Sequence, residues 1–201
     1  MQMRRLRQAL VAVIVPAALV GLTVGPAEAA AKAPKLPTPA KVAAAYPHLA
    51  GVTPVVVSGA AKPGNCTPAA LVKGAKSSAA VYSASAPAAA TPSVTVAAIR
   101  FKSATKAKAY LKKAAAFIAC ESQALGFTFS STAFKFKLKG TDQRVGLTTT
   151  QSISGISIAG QTLLARKGEK VVSVTAVSGN ATAPAVEPAQ GLLKVAVKAA
   201  R

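Results

Sequence analysis

"SVTVAAIRFKSATKAKAYLKKAAAFIAC", Ser93 to Cys120, changes its period halfway along. Up to Phe101, Val94, Val96 and Ala98 alternate with Thr95 and Ala97, the two-residue repeat of a strand. From Ser103 onward, Ala107, Tyr110, Leu111, Ala114, Phe117 and Ile118 recur at helical spacing. Ser103 is placed to cap that helix. Lys108 and Lys112 fall opposite the apolar stripe, Lys106 and Lys113 flank it, and Cys120 sits toward its edge. A strand therefore feeds directly into a long amphipathic helix.

Working outward, "SAAVYS" (Ser78 to Ser83) reads as a strand before this unit, joined to it by the Ala/Pro-rich loop "ASAPAAATP". Ahead of it, "NCTPAALVKG" reads as a short helix, with Thr67 as cap, Pro68 in the first position and Gly74 as the stop. Beyond the long helix, "QRVGLTTTQ" is a strand, and "SIAGQTLLAR" and "KVVSVTAV" form a hairpin turning at Lys167 to Glu169. "PAVEPAQGLLKVAVKAAR" closes the chain as an amphipathic helix. Its basic stripe Lys194, Lys198, Arg201 also complements the helix dipole. Short connections favour antiparallel pairing. The expected fold is α+β, an antiparallel sheet of about five to six strands with two to three helices packed on it.

The first 29 residues carry an export pattern. Arg4, Arg5 and Arg7 precede a sixteen-residue apolar run, Ala9 to Val24, and "AEA" (Ala27 to Ala29) offers small residues for cleavage near Ala29. The run is shorter than the roughly twenty residues that span a bilayer. The mature chain has no second run of that length, so no transmembrane segment is expected in it. Residues 30–45, rich in Ala, Pro and Lys, read as a semi-extended tether in which Pro34, Pro37 and Pro39 discourage regular structure. Residues 46–201 make one domain.

With the leader go three arginines and Glu28, leaving 22 basic and four acidic residues in 172, a net charge of +18. Such an excess favours anionic partners. Outside a cell these are cell-wall polymers or lipid head groups rather than nucleic acid. Two cysteines remain, Cys66 and Cys120. In an exported chain they point to one disulfide, the rivals being free thiols or a metal site. Two Cys and a distant His make a poor metal set.

Catalytic patterns are sparse. His48, the single histidine, lies in "AYPHLAG" beside the tether. The mature carboxylates Glu121, Asp142, Glu169 and Glu187 are scattered, and Asp142 is placed to pair with Arg144 or to cap its own turn. Neither a phosphate-cradling glycine loop nor a nucleophile elbow occurs, and no cofactor or enzymatic activity is expected.

Several of these pieces also carry a resemblance. Cys66 opens a short helix, and an apolar strand runs into "RFKSATKAKAYLKKAAAFIAC". "LKGTDQ" (Leu138 to Gln143), the hairpin "TLLARKGEKVVSVTAV" and a C-terminal helix follow. From about Tyr46 onward this layout resembles the extracellular sensor domain of mycobacterial serine/threonine kinases, and the free-standing secreted or lipid-anchored actinobacterial proteins of that type. The chain departs from that pattern in having no Trp and a single pair of Cys. The resemblance implies a disulfide-braced α+β module with a cleft that senses a ligand, and fixes no binding residue.

"FKFKLKG", Phe134 to Gly140, has two readings. As a half-buried strand, Phe134, Phe136 and Leu138 face in and the lysines keep an exposed strand soluble. As a binding element, Lys135, Lys137 and Lys139 form an anion-binding comb. The functional expectation is an exported, non-enzymatic sensor-type or ligand-binding module at the cell envelope, taking an unknown small ligand. The alternative is a basic protein that holds anionic polymers or lipids through surface lysines.

Overall fold

The computed structural model describes residues 33–84 and 91–200. The expected leader (Met1 to Ala29), most of the Ala84–Pro92 loop and Arg201 lie outside them. Among the described residues, seven strands form one antiparallel sheet: β1 (Val55–Ala60), β2 (Lys76–Tyr82), β3 (Ser93–Arg100), β4 (Thr128–Phe134), β5 (Gln143–Ile153), β6 (Ile156–Lys167) and β7 (Lys170–Ser178). Among the same residues, four α-helices accompany them: α1 (Pro39–Ala45), α2 (Ala69–Val72), α3 (Ala104–Ala124) and α4 (Val186–Ala199). The strand order is β1-β2-β3-β7-β6-β5-β4. Two meanders, β1 to β3 and β4 to β7, are thus joined through α3 and meet where β3 pairs with β7, Val96 opposite Val174.

The α+β expectation holds, with more elements than the five to six strands and two to three helices expected. β1 is "VVVSGA", a run of three valines between Pro54 and Gly59 whose lack of alternation carries no strand period. Its Val55, Val56 and Val57 remain exposed at the sheet edge. α1 arises inside the expected tether. Pro39 stands in the first turn, where its missing N–H costs nothing, and three alanines follow Val42. Val42 is fully buried, and Pro34 and Pro37 are buried as well. The segment therefore lies on the domain: Val42 belongs to the core, and Leu36 and Ala45 pack against it.

Both faces of the sheet are covered. Val94, Val96 and Ala98 of β3, with Val172, Val174 and Ala176 of β7, pack under α1 and α4. Ile99 and Val171, from the same two strands but the opposite face, pack with Phe101 under Ala107, Tyr110, Leu111, Ala114 and Phe117 of α3. This explains why Thr95 and Ala97, expected to alternate against the apolar set, are also buried. Ser103 caps α3 as expected, accepting a hydrogen bond from Lys106 N at 3.3 Å. Thr67 does not cap α2, which begins at Ala69. Its hydroxyl is buried with no hydrogen-bond partner among the described residues.

Cys66 and Cys120 are joined in a disulfide with their Cα atoms 6.0 Å apart. Closing a loop with a separation of 54 residues restricts the unfolded chain by about 4 kcal/mol on an entropic reckoning. The neighbouring Glu121 is buried, and its Oε1 accepts from Cys66 N at 2.7 Å, so α3 is tied to the β1–β2 connection twice.

Leu193 on α4 is fully buried, whereas Leu125 after α3 is 45% exposed. Leu193→Ala is expected to lower unfolding free energy by about 2–5 kcal/mol and Leu125→Ala by under about 0.5 kcal/mol, measured by denaturant titration.

Burial raises the pKa of Tyr46, Tyr82 and Tyr110, and for Tyr110 the nearby Glu121 adds to it. The native state therefore holds these protons where the unfolded chain releases them, so stability falls as pH climbs past about 10. The melting temperature is expected to drop through that range, and less steeply in Tyr46→Phe/Tyr110→Phe. Identical slopes would contradict the assignment.

Candidate functional site

The ladder between β4 and β5 ends at Phe134, which stands opposite Gly146 with its ring over the glycine. A side chain at Gly146 would collide with that ring, its Cβ falling 2.7 Å from the nearest ring carbon. From Lys135 the chain leaves the sheet and crosses toward α4. The strand expected over Phe134 to Leu138 therefore stops at its first residue. The alternation survives without the ladder: Phe134 and Phe136 are half-buried, Leu138 is buried, and Lys135, Lys137 and Lys139 are exposed. Apolar burial holds the pattern, and side chains take over the carbonyls that β5 no longer reaches. Gln190 of α4 donates to Lys137 O at 2.9 Å, and Thr141 and Arg144 donate to Leu138 O at 2.8 and 3.0 Å. Gly140, at φ 77°, turns the segment back toward β5.

This detour makes one wall of a groove, and α4 makes the other. Ala189, Leu192, Leu193 and Ala196 of α4 point into the core. Glu187, Gly191, Lys194 and Lys198, spaced four, three and four apart, lie along its groove side. Lys137, Leu138 and Lys139 face Glu187, Gly191 and Lys194 across a depression of about 470 Å³. A second, of about 280 Å³, shares Leu138, Lys139 and Lys194 and adds Lys167, Val197 and Lys198. A third, of about 440 Å³, continues from Lys167 and Val197 past Asp142, Glu169 and Lys170. A Cβ at Gly191 would meet no atom within 4 Å, so the groove is open above that residue.

The acidic residues at the far end are already engaged. Asp142 pairs with Arg166 at 3.0 Å and accepts from Gly168 N at 2.8 Å. It does not pair with Arg144, whose guanidinium goes to Leu138 O instead. Because Arg166 lies across the ladder from Gln143, the residue after Asp142, the carboxylate caps the β6–β7 turn rather than its own. Glu169 pairs with Arg100 at 3.3 Å. Among the described residues, Lys137, Lys139, Lys167, Lys194 and Lys198 have no ion-pair partner.

Of the expected lysine comb, Lys137 and Lys139 line the groove, and Lys135 and Lys137 line an adjoining depression with Phe134, Phe136 and Arg144. Lys194 and Lys198 were visible as a helical stripe but had a sufficient explanation in the helix dipole. Lys167 carried no signal at all, since only the hairpin's position beside α4 brings it in. His48 is not among the groove-lining residues; it is bonded through Nε2 to Pro92 O at 2.9 Å and edge-on to Tyr46. Among the described residues no group of three or more His, Cys, Asp and Glu is placed to hold a metal ion. None of their helices is long and apolar enough to cross a membrane.

No protein-family model matches the chain, and no curated protein matches it. Among solved structures, the extracellular domain of PknH from Mycobacterium tuberculosis is similar to it. That likeness has a TM-score of 0.49 and 16% sequence identity over 82% of this chain and 92% of that one.

With open space above it and a helical backbone around it, Gly191 is expected to accept alanine. Gly191→Ala should raise unfolding free energy by about 1 kcal/mol, read from the denaturant midpoint. A loss of stability would show that the groove face is closed.

Proposed function

We propose that the chain is an exported, non-enzymatic, sensor-type ligand-binding module acting at the bacterial cell envelope. The groove between residues 137–140 and α4 is its ligand seat. The observation that carries this reading is the run of adjoining depressions along one side of α4, the helix that also packs on the central strands. A seat built on the core keeps its shape, and a ligand held there can alter how α4 and the 135–142 segment present themselves to a partner. The non-catalytic reading is supported by the ion pairs that occupy Asp142 and Glu169, and by a groove lining that does not include His48. Export is supported by the leader pattern and by the disulfide, which suits an oxidising compartment.

A second reading rests on charge alone: a basic protein that adheres to anionic envelope polymers or lipid head groups through any of its lysines. The net charge of +18 after leader removal favours it. Filling the groove separates the two. The secreted protein should co-sediment with isolated cell envelopes, and Gly191→Phe should weaken this about tenfold or more, the scale of a lost contact of roughly 1.4 kcal/mol. Lys112→Gln/Lys113→Gln, on exposed α3 positions, should not. Equal binding by the Gly191→Phe variant would mean that the groove is not the seat.

A further inference from the structure

Resting on that reading of the seat, we propose that its ligand is an extended chain of phosphate linkages. The argument begins with where the charges stand. Lys137 and Lys139 line one wall, Lys194 and Lys198 the other, and Lys167 one end. They come from three separate elements and are strung along two depressions that share Leu138. Five lysines without ion-pair partners carry more positive charge than a single phosphate ion, at about −1.5 to −2, can offset. Lys194 and Lys198 are one helical repeat apart, about 6 Å along the axis. Lys137 and Lys139 are at most about 7 Å apart between Cα atoms. Each wall therefore offers a charge at about the same interval, which suits a linear ligand with regularly repeated anions.

The linkage follows from where the charge lies along the ligand. In a phosphate-linked chain every linkage carries its negative charge within the backbone itself, so the anions stay on the axis between the two walls. A pendant carboxylate carries its charge off that axis, to one side of the chain. Lysine suits such a ligand because its ammonium acts as a point charge toward a phosphate oxygen, without the planar fork that arginine brings to a single anion. Leu138 and Val197 give the floor apolar carbon for the uncharged parts of the chain, and the lysine stems extend it. Glu187 sets a polarity: it lines the end away from Lys167 and Lys198, so the charged run lies toward the C-terminal half of α4.

The test is a titration of the secreted protein with short-chain inorganic polyphosphate at several salt concentrations. With five lysines engaged, log K is expected to fall with log salt at a slope of about −3 to −4. Lys194→Gln/Lys198→Gln should reduce the slope by about 1.4 and weaken binding about tenfold or more. Gly191→Glu, which puts a carboxylate into the groove at a site free for a side chain, should abolish measurable binding while the protein still melts cooperatively. Lys112→Gln/Lys113→Gln should leave binding unchanged. Four results would overturn the proposal: monomeric phosphate competing as well as polyphosphate at equal total phosphate; polyglutamate binding as tightly; anionic phospholipid vesicles binding more tightly; or the α3 lysine variant losing as much as the α4 variant. If polyphosphate fails while Gly191→Phe still weakens envelope binding, the ligand class falls and the seat stands. If both fail, the seat falls with it.

Discussion

The pairing of β3 with β7 holds the molecule together. These strands belong to separate meanders, and their ladder, from Ser93 opposite Val177 to Arg100 opposite Lys170, is where the two halves of the sheet join. Its apolar side chains project to both faces, so each face needs a cover. α3 supplies one and α4 with α1 the other. Without that double burial, neither helix would have a surface to lie on. The disulfide and the Glu121 carboxylate then fasten α3 to the β1–β2 connection from outside the sheet.

The groove is a consequence of the same arrangement. α4 must turn Leu192 and Leu193 inward to cover β3, β6 and β7, which leaves its Glu187–Gly191–Lys194–Lys198 side facing out. The 135–142 segment must bury Leu138 on the same core, which draws it off the sheet edge and alongside α4. Two elements pulled to one core by their apolar residues thus present their polar sides to each other. The carboxylates of the neighbouring turn are taken up by Arg166 and Arg100. Among the described residues, that leaves the groove lysines without ion-pair partners.

The legible parts of the fold are those where one element carries its own period. The α3 stripe, the Ser103 cap and the β6–β7 hairpin with its turn at Lys167 to Glu169 each follow from local pattern, and each stands where expected. β1 and α1 were missed for opposite reasons. Val55 to Val57 do not alternate, because an edge strand with exposed valines has no polar side to declare itself. "PAKVAAA" looked like linker because its prolines are read as breakers, although Pro39 sits where a helix begins and Val42 has a core to enter. The cap assigned to Thr67 failed by a shift of the helix start beyond Pro68.

The sequence by itself determined the class, the alternating burial of Phe134, Phe136 and Leu138, the outward direction of the lysines between them, and which cysteines were available to pair. Those features depend on period and composition, which are local. Only the tertiary structure decided that Lys137 and Lys139 line one groove with Lys167, Lys194 and Lys198, and that Asp142 answers to Arg166 rather than Arg144. These are contacts between segments far apart in the chain. They are fixed by which faces of β3 and β7 each helix covers, and no spacing within a segment records that.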